Sequence, residues 1–228
     1  SRDVRIGLVS RDETIPRTQG PARFPYGRPP EGSSVTARQF HRIQTVQCDP
    51  RAAVRELAAQ LPGDCAGTFL FCSDRYALDA VEAAVRDEFT AAGPIVGCTT
   101  AGEIGPAYRQ GGMVAVGLGS GAFRMHVAPI DSLEAFDGAA AAELVAALRS
   151  QLEWNGDLDP ARMFAVILQD GLSLREELVT AHLHAALRGV PLVGGSAGDD
   201  QRFERTRVLA DGVFRSGGGV VALVESAL

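Results

Sequence analysis

The residues able to do chemistry in this 228-residue chain gather around two glycine-rich turns. The first reads Gly97-Cys98-Thr99-Thr100-Ala101-Gly102-Glu103 and the second Gly194-Gly195-Ser196-Ala197-Gly198-Asp199-Asp200. Each comes after a short apolar run (Pro94 to Val96, Pro191 to Val193) and each ends on carboxylates. Glycine lets the backbone take positive φ and approach a neighbour or ligand closely. Such turns have two uses. They are tight connections into the next strand, or they meet at a pseudo-symmetry axis and line a pocket. In the second case Gly97, Cys98, Thr99, Gly102, Glu103, Gly194, Gly195, Ser196, Gly198 and Asp199 form its walls. An organic ligand such as an amino acid would then be held by the turns and by Asp199 or Asp200.

Gly194-Gly195-Ser196-Ala197-Gly198 also satisfies G-x-S-x-G, the nucleophile elbow of serine hydrolases. The elbow requires a helix after the serine and a histidine later in the chain. Gln201 to Val213 reads as loop and strand, and no histidine comes after His184. A hydrolase using Ser196 therefore stands as the alternative from another class. Neither turn has the G-x-G-x-x-G-helix pattern of dinucleotide binding.

The imidazoles are His41, His126, His182 and His184. His182 and His184 are two apart and point to different sides of a helix, so they cannot share a metal. His182 is expected inside an apolar arc with Leu174, Leu178, Ala185 and Ala186, at the place that Val85 takes 97 residues earlier. A buried neutral imidazole with one hydrogen bond is one reading. A ligand to a haem iron, or a contact to a bound small molecule, is the other. His41 is the rival candidate, and a Cys98 thiolate a third.

Composition excludes several classes. The chain has no lysine, so Schiff-base and pyridoxal-phosphate chemistry and the P-loop lysine are out of reach. A net charge of −6 with no basic stripe argues against nucleic acid. No apolar run is long enough to span a membrane and no signal-peptide pattern opens the chain, so a cytoplasmic protein is expected. Cys48, Cys65, Cys72 and Cys98 form no C-x-x-C and read as reduced thiols.

The elements that must position these groups come in a repeated order. Residues 1–33 are rich in proline and read as an extended arm, with a short strand at Val4 to Val9. Asp49-Pro50 opens a helix that Pro62-Gly63 closes. Next come a strand at Thr68 to Ser73, a helix from Tyr76 to Phe89 and a strand at Pro94 to Val96. Two further strands are expected at Gly112 to Leu118 and Phe123 to Ile130. After a helix at Ala139 to Leu152 the same order returns. It comprises a strand at Phe164 to Leu168, a helix from Leu172 to Arg188, a strand at Pro191 to Val193, and strands at Thr206 to Leu209 and Gly219 to Val224. Gly97 and Gly194 are 97 residues apart, and Phe71, Val81 and Val96 fall on Leu168, Leu178 and Val193 at that offset. The expected fold is mixed α+β. Two pseudo-repeated β-α-β-β-β units, about 66–130 and 162–227, pack as two lobes with additional helices within a 34–228 domain.

Ile95 to Ile104, Asp170-Gly171, Val190 to Asp200 and Asp211-Gly212 together resemble the N-terminal FIST domain, a bacterial sensory module, over about Thr36 to Val224. The resemblance implies a small-ligand sensor and not an enzyme, acting on a signalling partner such as a histidine kinase or a cyclic-di-GMP enzyme. Homo-oligomers are compatible with it. One branch, NosP-like, binds haem b and senses nitric oxide, with His182 or His41 the candidate ligands here and His182 the candidate metal residue. The family also carries a C-terminal FIST region that this sequence does not include, so a site shared between the halves is expected to be incomplete.

Overall fold

The computed structural model describes residues 39–89, 93–152 and 157–227, within a compact unit spanning Thr36–Leu228. The expected arm and its Val4 to Val9 strand lie outside the described residues. Among the described residues, twelve strands and four helices succeed one another. The first half holds β1 (Phe40–Thr45), α1 (Pro50–Gln60), β2 (Cys65–Ser73), α2 (Leu78–Glu88) and β3 (Ile95–Thr100). It continues with β4 (Glu103–Ile104), β5 (Tyr108–Arg109) and β6 (Met113–Gly119). The second half holds β7 (Phe123–Ile130), α3 (Gly138–Arg149), β8 (Met163–Gln169), α4 (Glu176–Ala186) and β9 (Leu192–Ser196). It closes with β10 (Val208–Ala210), β11 (Val213–Arg215) and β12 (Gly219–Ser226).

The helices begin where local chemistry favours it. Asp49 accepts the Ala52 N–H at 2.7 Å with Pro50 opening α1, and Asp137 accepts the Ala140 N–H at 2.9 Å at the start of α3. The sheets are mixed. One runs β1-β6-β2-β3-β10-β11, the other β7-β12-β8-β9, and β4-β5 is a two-stranded ribbon of its own. Within each sheet two strands are parallel, β2 with β3 and β8 with β9, each pair joined by a crossover helix. Leu70 stands opposite Gly97 and Ile167 opposite Gly194, so the parallel registers match at the same 97-residue spacing.

Alternation along the strands builds four layers. On sheet one, Leu70, Cys72, Met113 and Ala115 face α1 and α2 with Val54, Leu57, Val81 and Val85. On sheet two, Ile167, Val221 and Leu223 face α3 and α4 with Leu144, Leu148, Val179 and Leu183. The opposite faces meet each other through Phe69, Val96, Met125, Leu168, Val220 and Val224. Each of these large side chains contributes about 1.5–3 kcal/mol by leaving water. Aligned sheets with helices outside put the carboxyl ends of β2, β3, β8 and β9 near one another.

The pairing refines the repeat. β7 bonds to β12 as β1 bonds to β6, so Phe123 to Ile130 stands in the second sheet, beside the elements that come after it. The order β-α-β-α-β is thus common to both halves. The halves differ after their third strand. β10 crosses over to pair with β3 of the first half, Val208 opposite Cys98 and Leu209 opposite Gly97.

Candidate functional site

The two glycine turns touch. Gly198 N–H donates to the Thr99 carbonyl at 2.8 Å. A Cβ on Gly198 would stand 3.1 Å from the Ala101 nitrogen, so a bare backbone is what lets the turns close on each other. Beside this contact lies a cavity of about 410 Å³ lined by Ala101, Gly102, Tyr108, Gln110, Asp200 and Gln201. It sits past the carboxyl ends of the parallel strands, the usual place for a ligand on such sheets. The turn after β3 presents Ala101 and Gly102, the β4-β5 ribbon presents Tyr108, and the loop after β9 presents Asp200 and Gln201.

Two ion pairs join the halves at the rim. Arg75 pairs with Asp200, and Arg202 pairs with Asp74, whose side chain is buried. Both arginine–carboxylate pairs run between the segment after β2 and the segment after β9. That second segment is held in an uncommon conformation. Asp200, Gln201 and Phe203 all have left-handed φ, at 61°, 64° and 57°. Such non-glycine residues cost roughly 1 kcal/mol or more each, so something must hold the loop. Asp199 does: its carboxylate accepts the N–H groups of Phe203, Glu204 and Arg205 at 2.9, 2.6 and 2.8 Å. Burial raises the pKa of Asp199, but the backbone donors outweigh it and hold the carboxyl below its ordinary value.

The predicted pocket residues therefore divide. Gly102 lines the cavity, and so does Asp200. Asp199 is occupied as the anchor of the loop. Glu103 is buried and accepts the Thr100 hydroxyl at 2.7 Å and the Gly112 N–H at 3.0 Å, which fastens the β4-β5 ribbon to the body. Thr99 N–H donates to the Arg207 carbonyl at 2.9 Å and serves the β3-β10 joint. Gly97 and Gly194 have one purpose in common. A Cβ there would fall 1.8 Å from the Leu70 carbonyl oxygen and 1.9 Å from that of Ile167. Gly195 faces open space on the exposed strand β9. Cys98 points into the layer between the sheets, and burial pushes its thiol up to about 12, which disfavours the thiolate an iron would need. Ser196 ends β9, and its hydroxyl donates to Glu176 at 3.3 Å with no histidine bonded to it among the described residues. The segment after Ser196 is a loop with left-handed residues and not a helix, so the nucleophile elbow is not formed.

Arg75, Tyr108, Gln110, Gln201 and the Asp74–Arg202 pair were not among the sequence candidates. Polar residues directly after the end of a buried parallel strand, as in Ser73-Asp74-Arg75, are the signal that could have found Asp74 and Arg75.

With this geometry in view, comparison with known proteins gives the lineage. The model of the FIST N domain matches residues 67–228, from β2 to the end of the chain. The chain belongs to the FIST N family. FIST domains are small-ligand sensory modules of signalling proteins. Among curated proteins nothing matches. Among solved structures, the crystal structure of cyanuric acid hydrolase from A. caulinodans aligns at 12% identity and TM-score 0.45, covering 82% of this chain and 66% of that one. The chain thus spans slightly under two thirds of that protein's length.

The FIST N domain places its histidines apart. α4 starts 98 residues after α2, one more than the 97-residue offset that the parallel strand registers keep. The buried stripe of α4 is consequently Val179, Leu183 and Leu187, matching Val81, Val85 and Phe89 of the first half. His182 corresponds to Ala84 and not to Val85, which corrects the expected pairing. Leu174 and Leu178, expected to flank it in an apolar arc, are exposed. His182 is half-buried beside Gly138 at the first turn of α3. His41 lies on the edge strand β1 of sheet one, with Gly117 opposite. Sheet two stands between these histidines, so they cannot ligate one iron from its two faces. Neither lines the described cavities. His126 is bonded to Glu225 at 2.7 Å across β7 and β12. His184 is exposed and lines an apolar groove of about 510 Å³ with Thr180, Ala181 and Leu192, beside Glu176 and Glu177. No group of three metal-binding side chains occurs among the described residues, and no described helix is long and apolar enough to cross a membrane.

Proposed function

We propose that this FIST N domain senses a small polar organic ligand, an amino acid or a close relative, in the cavity where the two glycine turns meet. The observation that carries the reading is the Arg75–Asp200 pair at the rim of that cavity. A zwitterion offers a carboxylate to the Arg75 guanidinium and an ammonium to the Asp200 carboxylate, so it replaces one ion pair by two charge-assisted contacts. Gln110, Gln201 and the Tyr108 hydroxyl supply neutral donors and acceptors for the remaining polar atoms.

Ligand binding of this kind couples directly to shape. Arg75 belongs to the first half and Asp200 to the second, on a loop kept in left-handed conformations by Asp199. A ligand that draws Asp200 away from Arg75 biases that loop between two arrangements, and a cytoplasmic signalling enzyme such as a histidine kinase or a cyclic-di-GMP enzyme would read the difference. A panel of the twenty amino acids, screened by thermal shift, is expected to contain stabilising members. Asp200→Asn should weaken the best of them at least about tenfold. A panel in which none raises the melting temperature contradicts the proposal.

The apolar groove beside His184 favours a second reading, haem b with nitric oxide as the sensed gas. There His184 would hold the iron, Ala181 and Leu192 would supply apolar contact, and a bound haem would supply the gas-binding chemistry. A Soret band after haem reconstitution that is lost in His184→Ala and kept in His182→Ala is the result expected of it. An unchanged band in His184→Ala contradicts it.

A further inference from the structure

We propose that β9 is a docking edge, and that its occupant is the β4-β5 ribbon of a second copy of this chain. The inference starts from a difference between the halves. In the first half the outer edge of β3 is covered by β10, which arrives from the other half. In the second half the matching strand β9 ends its sheet, and among the described residues nothing pairs with its outer edge. Residues of β3 are mostly buried, whereas Val193, Gly194, Gly195 and Ser196 are exposed. Val193 is 56% exposed.

Backbone direction makes the edge ready to accept a strand. Ala197 N–H donates to the Gln169 carbonyl at 2.7 Å, so the odd-numbered residues of β9 turn their polar groups toward β8. Gly194 and Ser196 turn theirs outward. They stand 97 residues after Gly97 and Thr99, whose edge is the one β10 occupies, Thr99 N–H reaching Arg207 O at 2.9 Å. The same open groups that fasten β3 to β10 are thus displayed on β9, and an open edge of this kind is a template for a further strand.

The chain also carries the complementary piece. β10-β11 is the ribbon that comes after the third strand of the second half. The ribbon at that place in the first half is β4-β5, which joins neither large sheet. It projects with Ile104 78% and Tyr108 60% exposed. Donor and acceptor are different surfaces of one chain, so two copies that exchange ribbons satisfy both at once. Tyr108 also lines the ligand cavity, so the joint would set the second copy beside that cavity. The joint itself does not depend on the ligand proposed above.

Sedimentation of the whole chain at about 100 μM tests this directly, since it populates a complex of micromolar affinity. A dimer is expected. Ser196→Pro removes an outward N–H and leaves the bonds to β8, and Val193→Arg adds a charge to the exposed face. Each should raise the dimer dissociation constant at least about tenfold, with the circular dichroism spectrum unchanged. A wild-type monomer at this concentration overturns the proposal, as does a dimer that both variants leave intact. A monomer whose Gly194 and Ser196 amides exchange slowly would also overturn it, because the edge would then be covered from within the chain.

Discussion

Asp170→Ala is expected to destabilise the domain by about 3–5 kcal/mol. Asp170 is buried at the end of β8. One carboxylate oxygen accepts the Leu172 N–H at 2.9 Å and the Thr206 hydroxyl, and the other accepts the Gly217 N–H at 2.5 Å. Those donors belong to the turn into α4, the approach to β10 and the approach to β12. Alanine leaves the buried Thr206 hydroxyl and the part-buried Leu172 and Gly217 N–H groups without that acceptor, and a hydrogen bond to a charged group contributes about 1.5–3 kcal/mol. Asp170→Asn keeps one carbonyl oxygen and should recover part of the loss. Urea unfolding followed by circular dichroism measures both; a change under about 1 kcal/mol for the alanine variant contradicts this account of the junction.

Gly97→Ala and Gly194→Ala are expected to cost about 3 kcal/mol or more each, while Gly195→Ala stays within about 1 kcal/mol of the parent. The first two would drive a methyl group into a backbone carbonyl of the neighbouring strand, which no side-chain rotation relieves. At Gly195 the methyl meets nothing within 4 Å. The contrast separates two meanings of glycine that look identical in the sequence. Thermal or urea unfolding of the three variants reads it, and three equal losses would contradict the close-approach explanation.

That contrast also shows what the sequence made legible. The order of elements, the α+β class and the 97-residue spacing come from apolar runs punctuated by proline and glycine, and those signals are local. The parallel registers keep that spacing because Gly97 and Gly194 meet the same constraint from a neighbouring carbonyl. The expected face of α4 fails for an equally local reason. One extra residue before the helix rotates it by about 100°, so Val179 and Leu183 go inward and His182 moves to the edge. A periodicity argument on His182 alone cannot register an insertion that lies in the preceding loop.

The site was legible only in outline. The sequence showed that two turns exist and that they carry glycines and carboxylates. It did not show which carboxylate would be spent on the fold. Asp199 is taken up by backbone N–H groups and Glu103 by the Thr100 hydroxyl and the Gly112 N–H, whereas Asp200, next to Asp199, faces the cavity. Arg75 and Asp200 are 125 positions apart, and their pairing depends on how the two halves pack, which no local pattern encodes.

The central claim is that a small zwitterion binds between the turns. Its most direct test is amide NMR of the labelled domain, titrated with the amino acid that stabilises it best in the thermal screen. Saturable shifts centred on Gly102, Gln110 and Gln201, absent in Asp200→Asn, are the predicted result. Saturable shifts confined to other residues, such as those around His184, would contradict it.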